Sequence, residues 1–201
     1  MSYAFNGAFV EEQHQVKSNI ISGWITSRTT CGVGKYKIYY CLSVKGVSNW
    51  EDDGNHRLIL MLSDDALTAQ IDVALSSVSA EAAAATINNS SFEQFKMQSA
   101  ADWNRNLSKI EVNGDLESSK LFYSLLYRTM QSPYVISEKD GTYRNTKGEQ
   151  QKDKQIHYNG WAIWDNYRTQ LPLLSIINQS EYAGMVTSIA ELYQSGKKDY
   201  A

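Results

Sequence analysis

The spacing of apolar residues changes near residue 79, and this change constrains the fold more than any other feature of the sequence. Before residue 79, apolar and polar residues alternate with the two-residue period of β-strands. After it, apolar residues recur every three to four positions, as they do along one face of a helix. The sequence therefore predicts a β module followed by an α-helical module.

Four segments of the β module have strand patterns. In the clearest, residues 35–45, every second side chain is apolar or aromatic: Tyr36, Ile38, Tyr40, Leu42 and Val44. This alternation is typical of a half-buried antiparallel strand. The other predicted strands are residues 19–25, 57–63 and 70–78, the last with Ile71, Val73 and Leu75 on one side. Short strands separated by turn residues indicate a β-sandwich.

Serine residues mark two helix starts after the change of period. Ser79 is a predicted cap for a helix over the alanine-rich run 80–87. Ser91, with Gln94 three residues later, forms a capping box that opens a longer helix to about residue 110. The Asn-Gly pair at 113–114 then ends this helical stretch.

From residue 116 the sequence predicts helices joined by loops. The first helix stops before Pro133, and its inner stripe consists of Leu121, Phe122, Leu125, Leu126 and Met130. Residues 134–158 are polar and aperiodic, and a connection of this length in a compact domain is often functional. We refer to residues 134–158 as the long connection.

Two more helices are predicted after the long connection. The first covers residues 162–177, and Pro172 should kink it or mark a boundary. The second is capped by Ser180 and ends at Gly196. Its apolar stripe is predicted to face inward and consists of Tyr182, Met185, Val186, Ile189 and Leu192.

These patterns divide the chain into a partial β-sandwich domain at 1–79, a helical linker at 80–113 and the start of an all-α domain at 114–201. The predicted strands are too few for a closed sandwich, and three helices would make an unusually thin α-helical domain. We therefore expect the chain to be a fragment of a longer protein, cut at both ends.

Composition excludes few classes of function. The chain has 201 residues, of which 20% are charged and 42% hydrophobic, as in ordinary globular domains. A net charge of −3 gives no electrostatic reason to expect nucleic acid or an anionic membrane as a partner. The N-terminus has no signal-peptide pattern, and no apolar run approaches the length of a membrane span.

Cysteines and histidines predict no metal centre. Cys31 and Cys41 are ten residues apart and could form a disulfide in an exported protein or remain as two buried thiols. No cysteine or histidine spacing is typical of a zinc site. The three histidines, His14, His56 and His157, are scattered and are interpreted as solvated or structural.

Residues 157–169, which we call the signature segment, carry the densest chemistry. The segment contains two Trp, two Tyr, one carboxylate and one guanidinium. Asp165 and Arg168 are three residues apart and would share one face of a helix. They could pair at a helix N-terminus, or they could belong to a sugar subsite. In the subsite, Trp164 would stack on the sugar, Asp165 would accept hydrogen bonds from hydroxyls and Arg168 would orient Asp165; both interpretations can hold together.

The signature segment and four other motifs resemble glycoside hydrolase family 92. The most specific motif is Trp164-Asp165-Asn166-Tyr167-Arg168-Thr169-Gln170-Leu171-Pro172-Leu173-Leu174. The other motifs, in matching order, are residues 21–24 with 36–40, residues 73–83, residues 103–110, and residues 122–129 with Pro133 and 140–143. One departure is Trp161-Ala162, where the family often has a small polar or aromatic pair.

The resemblance implies an α+β fragment: the C-terminal part of an antiparallel β-sandwich, linker helices, and the first helices of an (α/α)₆ barrel. It implies an inverting, calcium-dependent exo-α-mannosidase that removes terminal mannose from N-glycans or mannans. The family's catalytic acid and base and its calcium ligands lie further along the barrel, so no residue of this chain is predicted to be catalytic or to bind metal.

By the same resemblance, Trp164, Asp165 and Arg168 are the expected substrate-binding residues, and Asp165 is not the catalytic base. The parent protein is expected to be secreted or periplasmic. The fragment itself is expected to be inactive. The alternative is a non-catalytic carbohydrate-binding protein; a helical scaffold without ligand is disfavoured because bundle helices need no Trp-Asp-x-x-Arg cluster.

Overall fold

A computed structural model describes residues 8–29, 34–55, 57–88 and 90–196. The chain divides into two compact units, Met1–Asn88 and Asn89–Ala201. The first unit contains the strands of the β module and one helix, and the second contains the remaining helices. The three-part division at residues 79 and 113 stays a prediction.

The first unit is built on an antiparallel sheet of four strands in the order β1-β2-β3-β6. These strands are β1 Phe9–Lys17, β2 Ile20–Arg28, β3 Lys35–Lys45 and β6 Gln70–Ser76. Two further strands, β4 Val47–Asp52 and β5 Leu58–Leu62, form a separate hairpin. The sequence pattern predicted β2, β3, β5 and β6, and it missed β1 and β4, which are largely polar.

Strand β3 lies between β2 and β6, and this position makes the expectation of a half-buried strand wrong. Tyr40 and Val44 are buried on one face of β3, and Cys41 and Ser43 are buried on the other. Helix α1 (Ala80–Thr86) covers the second face, where Cys41 packs with Ala74 of β6 and Ala83 of α1. A central strand with cover on both faces has no solvent side in its middle.

Strand β6 keeps its predicted alternation, but its larger apolar side chains face outward within the described part of the chain. Ile71, Val73 and Leu75 are 42–52% exposed, whereas Ala74 and Ser76 are buried. The small side chains face the core because α1 packs closely on that face, where Ala83 is fully buried. The sequence period locates the strand but does not identify its buried face.

Cys41 is buried, and burial raises the pKa of its thiol. The sequence left open whether Cys41 forms a disulfide with Cys31 or remains a free thiol. Cys31 lies outside the described ranges, since residues 30–33 are not described. His56 also lies outside the described residues. The ring nitrogen Nδ1 of His14 lies 2.9 Å from the Glu12 carboxylate.

The second unit contains five helices among its described residues. They are α2 Phe92–Leu107, α3 Leu116–Thr129, α4 Ile163–Asn166, α5 Gln170–Ile177 and α6 Gln179–Gln194. The long connection, predicted to be aperiodic, contains short strands that pair as β7 Tyr134–Val135 with β10 Tyr158–Asn159, and β8 Thr142–Arg144 with β9 Gln150–Lys152.

The predicted caps of the first two helices are confirmed. The Ser79 hydroxyl accepts a hydrogen bond from the Ala82 amide at 3.1 Å. Ser91 and Gln94 form the full capping box, with each side chain accepting from the other residue's backbone amide. Helix α2 ends at Leu107, three residues earlier than predicted. These local hydrogen bonds satisfy amides that a helix start otherwise leaves unpaired.

The predicted cap of α6 is wrong. The helix begins at Gln179, and Asn178 occupies the cap position without a side-chain capping bond. The Asn178 side-chain oxygen instead accepts a hydrogen bond from Lys109 at 2.6 Å. Ser180 lies inside the helix, where its hydroxyl donates to Glu181. The tertiary contact with Lys109 therefore replaces the local cap that the sequence suggested.

The core of the second unit is a cluster of Tyr158, Trp161, Leu174 and Met185, which we call the anchor cluster. Partly buried side chains of α3, α4 and α6 pack around it: Met130, Ile163, Tyr182, Ile189 and Leu192. The inner stripes of α3 and α6 are only partly confirmed. Leu126 and Met185 are buried, but Leu121, Leu125 and Val186 are 47–62% exposed.

The hairpin of β8 and β9 is held by Asp140. Its carboxylate accepts hydrogen bonds from the Thr142 amide at 3.0 Å and the Thr142 hydroxyl at 2.8 Å, and from Lys152 at 3.0 Å. The backbone bond from Thr142, followed by the bond from Lys152, lowers the pKa of Asp140 to about 2. Asp140 is exposed, and its carboxylate is the acceptor that organises the hairpin.

Substitutions at Leu174 and Ile176, both on α5, test which side chains of this helix belong to the core. Leu174 is 1% exposed and Ile176 is 71% exposed. Leu174→Ala should lower the free energy of unfolding by about 2–5 kcal/mol because it leaves a cavity in the anchor cluster. Ile176→Ala should change it by less than about 0.5 kcal/mol. Urea unfolding followed by tryptophan fluorescence compares them, and equal losses would contradict this core.

Asp140→Asn should flatten the acid dependence of stability. Because the folded pKa of Asp140 is below its usual 3.8, its contribution is present above that pH and is lost as the pH falls through about 2. The thermal midpoints of the native chain and the variant should therefore converge between about pH 4 and about pH 2. Asp64→Asn, an exposed turn residue of the other unit, controls for charge removal. A constant difference at every pH would contradict the prediction.

Candidate functional site

The signature segment begins at His157, just before β10, and ends in the turn between α4 and α5. The predicted single helix over 162–177 is divided at residues 167–169. Pro172 follows this break and occupies the first turn of α5, where a residue without an amide proton leaves no intrahelical bond unmade. Pro172 therefore marks a boundary, as the sequence allowed, and does not kink a continuous helix.

Helix α4 is a single turn with no side-chain cap. The amides of Asp165 and Asn166 both donate to the Ala162 carbonyl, at 2.8 and 2.9 Å, and the Tyr167 amide donates to Ile163 at 3.2 Å. A helix this short has too few hydrogen bonds to be stable by itself. Its conformation must therefore be fixed by the packing of its neighbours.

Burial alternates along the signature segment. Trp161 and Asn166 are 5% and 6% exposed, whereas Trp164 is 69% exposed and Asp165 is also exposed. Trp161 packs in the anchor cluster with Tyr158 and Leu174. Buried side chains thus anchor the segment, and the adjacent side chains of Trp164 and Asp165 are exposed to solvent.

Hydrogen bonds from side chains to backbone carbonyls, and a close approach at a glycine, fix the turn before α4. The Ser132 hydroxyl donates to the Gly160 carbonyl at 2.6 Å. Gly160 has φ +86°, and a Cβ at this position would lie 2.4 Å from the Tyr134 ring. Gln170 donates from its side chain to the Thr129 carbonyl at 2.7 Å. Only glycine fits at 160, and the signature segment is tied at both ends to the chain that follows α3.

Arg168 does not take the expected position beside Asp165. Helix α4 ends at Asn166, so the two residues do not share a helical face, and no ion pair joins them among the described residues. The Arg168 Nε donates to the Tyr167 hydroxyl at 2.6 Å, and its guanidinium lies 5.3 Å from the Tyr167 ring centre. The pairing fails because the turn at 167–169 redirects the chain.

Tyr127 and Arg128 lie in α3, within residues 122–129, which also resemble a family motif. The Tyr127 ring packs against Trp103 of α2, with ring centres 4.4 Å apart and planes tilted by 59°. This contact supports a packing role for Tyr127. Arg128, in the last helical turn, is exposed and forms no ion pair within the described ranges.

His157, the first residue of the signature segment, has surroundings that the sequence did not predict. Its ring is 2% exposed and lies between the carboxylates of Asp153 and Glu191. Glu191 is far along the chain on α6, so no local spacing could have found it. The Gln155 amide and then His157 lower the pKa of the Asp153 carboxyl.

Acidic, histidine and cysteine side chains are not clustered into a metal site among the described residues. They contain no group of three or more His, Cys, Asp or Glu side chains placed to hold one metal ion. Calcium prefers six to eight oxygen ligands, so Asp165 alone does not fit that requirement. Among the helices of the described ranges, none is both long and apolar enough to cross a bilayer.

Comparisons with known proteins agree with the resemblance. The model of the glycosyl hydrolase family 92 catalytic domain matches residues 79–199. A family GH92 α-mannosidase from Bacteroides thetaiotaomicron is similar in fold, with a TM-score of 0.78 and 17% identity over 90% of this chain and 28% of that chain. Its complex with mannoimidazole gives the same score and identity, over 90% of this chain and 27% of that one.

The GH92 family glycosyl hydrolase ccman5 has a TM-score of 0.71 and 25% identity, over 92% of this chain and 28% of its own. No curated protein sequence matches the chain. The predicted fold class is confirmed: an antiparallel sheet from the end of a β-sandwich, then linker helices and the first helices of the barrel. The chain spans about 28% of the length of these solved structures. Because the family model matches more than half of its residues, the chain belongs to glycosyl hydrolase family 92.

Proposed function

We propose that the chain is part of an inverting exo-α-mannosidase that removes terminal α-linked mannose from N-glycans or mannans. Its contribution is a subsite for the terminal mannose, formed by Trp164, Asp165 and Arg168. The observation that carries this proposal is the arrangement of the signature segment, in which exposed Trp164 and Asp165 are adjacent on a turn held by buried Trp161.

The two exposed side chains suit a neutral sugar. An indole face can pack on the apolar C–H surface of a pyranose, since aromatic rings combine a large contact area with rigidity. A carboxylate accepts hydrogen bonds at both oxygens and can bind two neighbouring hydroxyl groups. Asp165 and Trp164 supply these two interactions, and their fixed backbone limits the ordering cost of binding.

Arg168 has a different role from the one the sequence suggested. Its contact with the Tyr167 hydroxyl holds the guanidinium beside an exposed ring, at the edge of the proposed subsite. From there its remaining donors can bind sugar hydroxyl oxygens directly. We propose Arg168 as a binding residue at the rim, without a role in orienting Asp165.

Hydrolysis with inversion needs two carboxyl groups, one to protonate the leaving oxygen and one to activate water, roughly 6.5–9.5 Å apart. We propose neither role for any residue of this chain. Asp165 positions the sugar, and the acid and base belong to other parts of the enzyme. The proposed calcium requirement likewise concerns the whole enzyme, because the described residues here do not assemble a ligand set.

The substrate class also bears on where the protein acts. Terminal mannose on N-glycans and mannans is found largely outside the cytoplasm, so we propose that the whole protein is secreted or periplasmic.

A second candidate function is carbohydrate binding without hydrolysis, and a cavity in the first unit favours it. The cavity has a volume of about 610 Å³ and is lined by Trp50, Asn49, His14 and Asp52, among others. An aromatic ring beside amide and acidic side chains offers the apolar and polar contacts that a polyol needs. This candidate places the sugar on Trp50, whereas the favoured proposal places it on Trp164.

The two candidates are separated by sugar binding to the 201-residue chain. Titration with methyl α-mannoside, followed by amide chemical shifts, should show weak binding with shifts in residues 160–169. Trp164→Ala and Asp165→Asn should each weaken binding at least about tenfold, which is the loss of about 1.4 kcal/mol. Trp50→Ala is the matched aromatic control and should have no effect. Loss of binding in Trp50→Ala alone would support the non-catalytic candidate.

Catalysis is tested by mannose release from α-linked mannobioses with calcium present. The 201-residue chain should release none, because the proposal places no acid or base in it. A longer protein carrying these residues within a complete family 92 domain should release mannose, and Asp165→Ala should reduce its kcat/KM by more than about 100-fold, or about 2.7 kcal/mol. Near-normal turnover in that variant, with a native circular dichroism spectrum, would exclude Asp165 from the subsite.

A further inference from the structure

Ser132, between α3 and β7, contacts the chain on both sides of residues 161–169. Its hydroxyl donates a hydrogen bond to the Gly160 carbonyl at 2.6 Å, and its own carbonyl accepts one from the Gln170 side chain at 2.5 Å. Gly160 and Gln170 are 28 and 38 residues away along the chain, so both bonds are tertiary contacts. We call these two bonds the Ser132 clasp. They close residues 161–169 into a loop whose two ends meet at one residue.

The Gln170 side chain uses both of its N–H donors on the chain at and after the end of α3. One donor goes to the Ser132 carbonyl, and the other goes to the Thr129 carbonyl at 2.7 Å. Both partners are carbonyl oxygens, which only accept, so the amide nitrogen of Gln170 must face them. Thr129 is the last residue of α3, and the final carbonyls of a helix have no partner inside it. Gln170 therefore caps α3 from the first turn of α5.

Apolar packing alone would not fix residues 161–169. Trp161 and Leu174 lie in the anchor cluster on the two sides of this stretch, but the burial that holds them is non-directional. Hydrogen bonds, in contrast, require a short distance and a near-linear angle. Helix α4, which lies between the two ends of the clasp, has no side-chain cap and is too short to be stable by itself. The clasp therefore supplies the directional contacts at residues 160 and 170 that packing does not.

The Gly160 end of the clasp is closely packed. A Cβ at this position would lie 2.4 Å from the Tyr134 ring and 3.3 Å from the Ser132 hydroxyl oxygen. Strands β7 and β10 pair beside it, with Asn159 opposite Tyr134. Because the strand pairing and the Tyr134 ring hold the backbone here, the Ser132 hydroxyl meets the Gly160 carbonyl in one defined geometry.

We propose that Ser132 and Gln170 are positioning residues, whose clasp fixes residues 161–169 and thereby sets the directions of Trp164 and Asp165. Neither Ser132 nor Gln170 touches the sugar in this proposal. Binding costs less conformational entropy when the segment that binds is already ordered, so a broken clasp lowers affinity while the sugar contacts remain available. The effect on sugar rests on the proposed subsite, whereas the fixing of the segment is a property of the chain itself.

The fixing of the segment is tested with two substitutions of Ser132. Ser132→Ala removes the hydroxyl donor, and Ser132→Thr keeps it. The amides of Asp165 and Asn166 donate to Ala162 within α4, so their hydrogen exchange reports opening of the segment. Exchange at both amides should be at least about threefold faster in Ser132→Ala, as expected for one lost hydrogen bond, and near native in Ser132→Thr. The matched control is Ser175→Ala, which removes a hydroxyl bonded within α5 and should leave both amides unchanged.

The effect on the sugar is tested by titration with methyl α-mannoside. Gln170→Glu keeps the side-chain shape but places a carboxylate against two carbonyl oxygens, and it should weaken binding at least about tenfold. Ser132→Ala should weaken binding at least about threefold. Because both residues act through one clasp, the double variant should lose no more than Gln170→Glu alone. Gln155→Glu is the matched control: its side chain donates to Thr187 of α6 at 3.0 Å, outside the clasp, and affinity should not change.

Faster exchange in Ser132→Ala that Ser132→Thr restores, together with non-additive losses of affinity, supports the proposal. Native exchange at Asp165 and Asn166 in the Ser132→Ala variant overturns it, as do faster exchange with unchanged affinity and additive losses in the double variant. If the native chain binds no methyl α-mannoside, the proposed subsite fails, and the exchange rates alone decide whether the clasp fixes the segment. If Gln170→Glu does not fold, the two Ser132 variants decide both questions.

Discussion

Burial of the anchor cluster is the interaction on which the candidate site depends. Tyr158 and Trp161 enter the cluster from the signature segment, and Leu174 and Met185 enter it from α5 and α6. Between the two aromatic residues and α5 lies a single uncapped helical turn, which could not persist in isolation. The directions of Trp164 and Asp165 are therefore set by the buried side chains of the anchor cluster. The site is a product of tertiary packing more than of local sequence preference.

Polar contacts extend this order into the long connection. A segment of its length with few apolar residues cannot be held by a core of its own. Asp140 gathers donors from Thr142 and Lys152, and Asp153 gathers donors from Gln155 and His157. Each carboxylate is at least partly exposed, yet each fixes a bend through more than one hydrogen bond. The hairpin of β8 and β9 owes its shape to these acceptors, and Gln155, His157 and Tyr158 attach the chain after it to α6.

Local patterns were predictable from the sequence, and features set by distant residues were not. Strands β3 and β6 were found at their correct starts because alternation is a local property, and the capping box of Ser91 and Gln94 is likewise local. The buried face of β6 was hidden, because it depends on where α1 packs. Arg168 was misplaced because the turn at 167–169 interrupts a helical pattern that continues in the sequence. The surroundings of His157 depend on Glu191, which no spacing rule connects to it.

The alternation of burial within the signature segment has an evolutionary consequence. Trp161 and Asn166 are committed to the interior, so changes there would disturb the fold itself. Trp164, Asp165 and Arg168 are solvent-facing, and substitutions at such positions usually cost little stability. The residues of the proposed subsite and the residues that the fold requires are thus different and interleaved along the segment. In the proposed subsite, selection can therefore change the ligand-binding side chains without destabilising the buried residues that hold the segment.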